Sequence, residues 1–126
     1  MTAAVRLAQR RVLVVEDEPL VALELISILE EAGAEIIGPA FTAGAAIEII
    51  PTVKPDAVLL DGNLQGSRVE MVAEAFTLYE LPSVVVTVYG REHLPTAFRH
   101  IPVIEKPFDR GQLVATIMNR LPAQKR

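Results

Sequence analysis

The sequence predicts an α/β fold, a five-stranded parallel sheet doubly wound with helices on both faces. Short apolar runs alternate along the chain with longer segments whose apolar residues recur at helical spacing. The two strongest runs, Val12-Leu13-Val14-Val15 and Ala57-Val58-Leu59-Leu60, are continuously apolar, as suits strands covered on both faces. Both close on acids, Glu16-Asp17 and Asp61. Strands alternating with helices imply a parallel sheet joined by right-handed crossovers.

Residues 1–10 form a polar and small-residue lead-in able to fray, residues 11–122 the domain, and residues 123–126 a short tail. The first strand follows Arg11 and ends at Glu16-Asp17-Glu18, and Pro19 suits the first turn of a helix. Leu20, Leu23, Ile26 and Leu29 recur at helical spacing there, with Val21, Leu25 and Ile28 beside them and Gly33 as a stop. Ile36 to Ala40 is a weaker second strand. Thr42 caps a helix carrying Ala46, Ile47, Ile49 and Ile50, ended by Pro51. After the Asp61 strand, Ser67 caps a helix with Val69, Val72, Ala73, Phe76 and Leu78, broken by Pro82. Ser83 to Thr87 is the fourth strand. Between Gly90 and His100, Pro95 and few apolar residues predict a short helix. Ile101 to Ile104 is a fifth strand, placed at a sheet edge by Pro102. Asp109 caps a last helix with Leu113, Val114, Ile117, Met118 and Leu121.

At 126 residues, with 51% apolar and 22% charged, the chain suits one globular domain with its own core. A net charge of −4 gives no electrostatic reason to expect nucleic acid or an anionic membrane as partner. The absence of cysteine excludes disulfides, thiolate chemistry and cysteine metal sites. With no signal-peptide or membrane-span pattern, the expected location is cytoplasmic, without membrane insertion.

The chemistry follows from where the strands stop. Their carboxyl ends deliver Glu16-Asp17, Asp61, Thr87 and Lys106. In the flavodoxin-like order 2-1-3-4-5 the first and third strands are neighbours, with the ligand crevice between them. That order brings Glu16, Asp17 and Asp61 into one pocket, where three ionised carboxylates need a cation. Oxygen ligands without histidine or cysteine favour a hard ion, Mg²⁺ being the cellular default, and the Asn63 backbone carbonyl adds another oxygen. Thr87 and Lys106 supply a hydroxyl and an ammonium of the kind that holds a phosphoryl oxygen. An aspartate so surrounded is an aspartyl-phosphate acceptor.

These pieces, Val12 to Pro19, Ala57 to Asn63, Val84 to Thr87 and Lys106-Pro107-Phe108, resemble the receiver (REC) domain of bacterial two-component response regulators, single-domain type, with its CheY-like fold. The resemblance runs from about residue 11 to residue 121. It implies that Asp61 takes a phosphoryl group from a sensor histidine kinase or histidine phosphotransfer protein, and that the domain then acts on a downstream protein target. It implies Mg²⁺ held by Glu16, Asp17, Asp61 and the Asn63 carbonyl, Thr87 as switch hydroxyl, Lys106 as phosphoryl-binding cation, and a cis Lys106-Pro107 bond. Such a domain is a signalling module, catalysing only its own phosphorylation and dephosphorylation.

Each residue also has an ordinary reading. A strand-end aspartate is often a turn or cap residue, and acids beside a helix N-terminus suit its dipole. Thr87 is a plain β-former and Lys106-Pro107 an ordinary turn. Together, on successive strand ends, they favour the phosphoacceptor site. His93 and His100 read as solvated surface, and Glu18 as exposed. One departure from the family pattern is Val103, where an aromatic residue usually sits three positions before the lysine; Tyr89 is the nearest aromatic but not the matching position. The expectation is that phosphorylation orders or shifts the Val88 to His100 segment directly.

Four other readings stay open. A haloacid-dehalogenase-type phosphatase needs a second carboxylate where Asn63 stands. A flavodoxin relative needs a Ser/Thr-rich loop after the first strand. A pseudo-receiver would act without phosphorylation. With five residues after Leu121 a stand-alone receiver is expected, against a receiver excised from a hybrid histidine kinase.

Overall fold

The strands β1 (Arg11–Val15), β2 (Glu35–Ala40), β3 (Ala57–Asp61), β4 (Ser83–Thr87) and β5 (Val103–Glu105) join in one parallel sheet of order β2-β1-β3-β4-β5. A computed structural model describes residues 6–62, 69–88, 94 and 96–122. Its helices are α1 (Pro19–Glu31), α2 (Ala43–Val53), α3 (Val69–Leu78) and α4 (Arg110–Arg120). The expected flavodoxin-like, doubly wound architecture is the one observed.

Alternate residues of each strand feed two cores. Leu13, Val15, Val58, Leu60 and Val85 pack beneath α2 and α3, against Ala46, Ile50, Val72 and Phe76. Val12, Val14, Leu59, Val84 and Val86 pack beneath α1 and α4, against Leu25, Leu29, Leu113 and Ile117. The central strands are therefore apolar on both faces, the physical reason their sequences do not alternate. Local signals end the helices as expected. Thr42 accepts a hydrogen bond from the Ala45 N–H, and Asp109 accepts one from the Gln112 N–H. Gly33 turns the chain after α1 with φ +97°, a conformation that costs glycine little.

In several places the tertiary structure departs from the local pattern. On α1, Ala22, Leu25, Ile28 and Leu29 are buried, while Leu20 and Leu23 are 75% and 62% exposed. The helix is apolar around most of its circumference, so periodicity could not choose its face; the sheet receives the one with the small Ala22. Pro51 lies inside α2, which runs on to Val53 and closes on Lys54 (φ +55°), whose N–H donates to the Ile50 carbonyl. The proline removes one donor, its own, and the ladder resumes beyond it with the Lys54 bond, so the chain does not break there. Of the segment between Gly90 and His100, where a short helix is expected, the described residues 94 and 96–100 include a 3-10 turn, Thr96–Phe98, with Phe98 fully buried. Strand β5 begins two residues later than expected, although Pro102 still accepts a hydrogen bond from the Val85 N–H. It is an edge strand, as its proline suggested. The core also reaches back before Arg11, for Leu7 is fully buried and its N–H donates to the Ala32 carbonyl. Ser67, Tyr89, His93, Pro95 and the 123–126 tail lie outside the described residues.

Candidate functional site

The site is assembled by register. Val15 of β1 lies level with Leu60 of β3, so Glu16 and Asp61 leave adjacent strands at the same height. Asp61 is level with Val86, and Thr87 with Glu105, the residue before Lys106. The Glu16 N–H donates to the Ala40 carbonyl at 3.0 Å and the Lys106 N–H to the Thr87 carbonyl at 2.8 Å, tying both residues to the sheet. The Lys106-Pro107 peptide is cis, as the resemblance implied.

Glu16, Asp61 and Thr87 are all buried, at 1%, 3% and 0% exposure, which is unusual for two acids on neighbouring strands. Asp17 is half-buried, and carboxylate oxygens of Glu16, Asp17 and Asp61 all lie within 4.8 Å of one another. One cation faces both buried acids: Lys106 Nζ stands 3.9 Å from Glu16 Oε1 and 3.9 Å from Asp61 Oδ1. Glu16 Oε2 accepts the Glu18 N–H at 3.1 Å, whereas Glu16 Oε1 is buried and accepts no hydrogen bond among the described residues. Glu18 itself is exposed, as expected.

Among the described residues, three carboxylates against one ammonium leave this pocket electron-rich. A buried orphan oxygen, an all-oxygen donor set and a half-open edge at Asp17 together fit a hard divalent cation. Asn63, expected to add a carbonyl, lies outside the described residues. The structure therefore brings Glu16, Asp17, Asp61 and Lys106 together and places Thr87 on the next strand end. Gly62 was not among the site residues expected from the sequence. The structure packs it against Val85, Leu94 and Thr87, and a glycine directly after the strand-end acid was the available signal.

Burial pushes the Glu16 carboxyl up to about 7, with the neighbouring Asp61 charge adding to the rise; the Glu18 N–H and Lys106 act against it. A folded-state value raised above the usual 4.5 means that the folded chain holds a proton the unfolded chain has released. The contribution of this carboxyl to stability is then full below about pH 4.5 and declines as pH rises toward 7, beyond which no more of it is lost. In chelator, the thermal midpoint is expected to fall by roughly 5 °C between about pH 5 and about pH 7.5. Glu16→Gln, which cannot ionise, should flatten that slope. Melting curves of both proteins across this range check it.

The family model for the response regulator receiver domain matches residues 12–118. The chain belongs to the response regulator receiver family. This receiver domain is 31% identical over 112 residues to the transcriptional regulatory protein PdtaR of Mycobacterium tuberculosis, covering 86% of this chain and 55% of that one. It is 33% identical over 115 residues to the phyllosphere-induced regulator PhyR of Methylorubrum extorquens, covering 87% and 43%. The chain thus spans about half the length of these curated relatives. Among solved structures, the response regulator PhyR from Brucella abortus superposes with a TM-score of 0.76 at 29% identity, covering 89% of this chain and 47% of that one. The signal receiver domain of NarL from Mycobacterium tuberculosis gives 0.75 at 25% identity, covering 89% and 95%. The family is a signalling family, and its receiver domains generally bind Mg²⁺. Among the described residues no helix of this receiver domain is long and apolar enough to cross a membrane.

Proposed function

We propose that this receiver accepts a phosphoryl group on Asp61 from a phosphohistidine of a sensor histidine kinase or histidine phosphotransfer protein, in a Mg²⁺-dependent reaction, and passes the change to a downstream protein target. The observation that carries this reading is the buried Glu16–Asp61 pair sharing Lys106 at 3.9 Å, with the Asp17 carboxylate in reach.

An Asp61 carboxylate oxygen attacks phosphorus; the new O–P bond forms as the P–N bond to the imidazole breaks, and the imidazole leaves with a proton from solvent. The scaffold's work is positioning and charge neutralisation, since phosphoryl transfer asks little covalent chemistry of the protein. Glu16, Asp17, Asp61 and the Asn63 carbonyl would hold the metal. When bound, Mg²⁺ offsets the charge on the carboxylates and on the incoming phosphoryl oxygens. Lys106, already aimed at Asp61, pairs with a phosphoryl oxygen, and the Thr87 hydroxyl donates to another. Burial of Asp61 excludes bulk water and strengthens each of these interactions.

The test is intact-protein mass after incubation with Mg²⁺ and acetyl phosphate, repeated with purified phosphohistidine donor. A phosphate-sized, alkali-labile gain that disappears in chelator is expected. No gain from either donor would overturn the reading and leave a phosphorylation-independent interaction module in its place.

A further inference from the structure

Residues 6–10 of the lead-in are anchored to α1. Leu7 is fully buried, its N–H donates to the Ala32 carbonyl at 2.7 Å, and the Arg10 N–H returns to the Leu7 carbonyl at 3.0 Å. This turn holds Arg6 beside the end of α1 and the first turn of α4. A cleft of about 400 Å³ opens there, within the range of small-molecule sites. Its walls are apolar: Ile28 and Ala32 come from the end of α1 and Val114 from α4, all three buried. Gly111 lines it without a side chain. Within 4 Å a Cβ at that position would meet, among the described residues, only Asp109 Oδ2 at 3.2 Å.

The charged groups lining this space do not cancel. Arg110 Nη2 donates to Glu31 Oε1 at 2.5 Å, but both side chains are more than half exposed, where such a pair contributes little. The Arg110 guanidinium keeps further N–H donors on its planar fork. Arg6 is half-buried, and among the described residues no hydrogen bond or ion pair engages its guanidinium. Asp109 Oδ2 accepts the Gln112 N–H, so that acid serves the start of α4 and not the cleft. Among the described residues, two guanidiniums against one carboxylate leave the lining one charge positive, on a chain of net charge −4. A cation partly withdrawn from water without a partner costs free energy that an anion would offset.

We propose that this cleft binds a small organic oxyanion, a carboxylate or phosphomonoester carried on an apolar body. The Arg6 guanidinium meets the oxyanion through two parallel N–H bonds, with Arg110 as the second cation. The apolar body lies against Ile28, Ala32 and Val114, in the space that Gly111 leaves. Glu31 stays on Arg110 and repels ligands that carry a second anion on that side. The cleft shares no residue with the pocket of Glu16, Asp17 and Asp61, so the proposal stands apart from the phosphoacceptor reading.

The test is a titration of the full chain with phenyl phosphate and with benzoate, followed by amide chemical shifts in chelator. Benzyl alcohol and inorganic phosphate are the controls, one lacking the anion and the other the apolar body. Saturable shifts centred on Arg6, Ala32, Gly111 and Val114 are expected from at least one organic anion, and the tighter of the two names the oxyanion. Arg6→Gln should weaken that binding about tenfold, and Arg6→Lys by less, because lysine keeps the charge but not the fork. Gly111→Gln keeps both guanidiniums but fills the space, and should weaken it as much. Each variant is first checked for cooperative melting; should Gly111→Gln fail to fold, the two Arg6 variants decide. The proposal is overturned if neither organic anion gives saturable shifts, or if Arg6→Gln binds them as tightly as wild type. It is overturned equally if inorganic phosphate matches phenyl phosphate or benzyl alcohol matches benzoate, since the site would then read only charge or only apolar surface. Shifts confined to the residues around Asp61 would also overturn it, and would leave the phosphoacceptor reading to its own test by mass.

Discussion

Asp61→Asn is expected to abolish phosphoryl gain from any donor while leaving the fold intact. The carboxamide keeps the shape of a side chain that is 3% exposed and removes the nucleophilic oxygen pair. It also removes one of the two acids that share the Lys106 ammonium, so the charge that helps hold the Glu16 carboxyl near 7 disappears. In chelator at neutral pH the variant should therefore melt higher than wild type, by roughly 5 °C, and adding Mg²⁺ should narrow the difference, because wild type has more to gain from the ion. Intact mass with alkali lability reads the first effect, and paired melts with Mg²⁺ and with chelator read the second. Label on the Asp61→Asn protein would place the phosphoacceptor elsewhere and undo the proposed mechanism.

Lys106→Met carries the second large effect, and its two consequences run in opposite directions. Methionine retains most of the apolar stem but removes the ammonium that stands 3.9 Å from both Glu16 Oε1 and Asp61 Oδ1. Phosphoryl gain should slow by roughly 10²–10³-fold, the scale for losing one preorganised group that stabilises developing charge. The metal-free protein should lose about 1–3 kcal/mol, a value reduced from that of a fully buried pair because Lys106 keeps a fifth of its side chain in solvent. Mg²⁺ affinity, in contrast, should rise, since the pocket becomes one charge more negative and a competing cation is gone. Single-turnover phosphorylation, chemical denaturation in chelator and Mg²⁺ titration separate the three. If phosphoryl gain proceeded at the wild-type rate, Lys106 would be a structural counter-charge and nothing more.

Much of this was legible in the linear chain because it depends on neighbours close in sequence. Continuous apolar runs at Val12–Val15 and Ala57–Leu60 must be covered on both faces, which already implies a parallel sheet with two helical layers. The caps at Thr42 and Asp109 and the glycine stop at Gly33 are local chemistry, and each occurs where its sequence places it. Chemistry-bearing residues at the carboxyl ends of successive strands mark a site before any coordinates exist, since such ends share one rim of the sheet.

The remainder was decided by contacts between distant segments. The face α1 buries was undetermined by a helix apolar nearly all round, and the sheet left Leu20 and Leu23 in solvent. Pro51 did not end α2, because it removes only its own donor and the Lys54 N–H still reaches the Ile50 carbonyl beyond it. Leu7 became core through a hydrogen bond to Ala32, a residue 25 positions away. The chain alone identified Glu16, Asp61 and Lys106 as candidates but not their energetics: the raised Glu16 carboxyl and its orphaned Oε1 arise from burial, which only three-dimensional packing creates. The same holds for the notch at Gly62, where residues 85, 87 and 94 converge. Fold class and the candidate residues at the strand ends thus follow from sequence, because strand ends and caps are set by short-range pattern; the shared ammonium, the perturbed acid and the packing around Gly62 belong to the tertiary structure, because electrostatics and close packing act through distances that no spacing in the chain specifies.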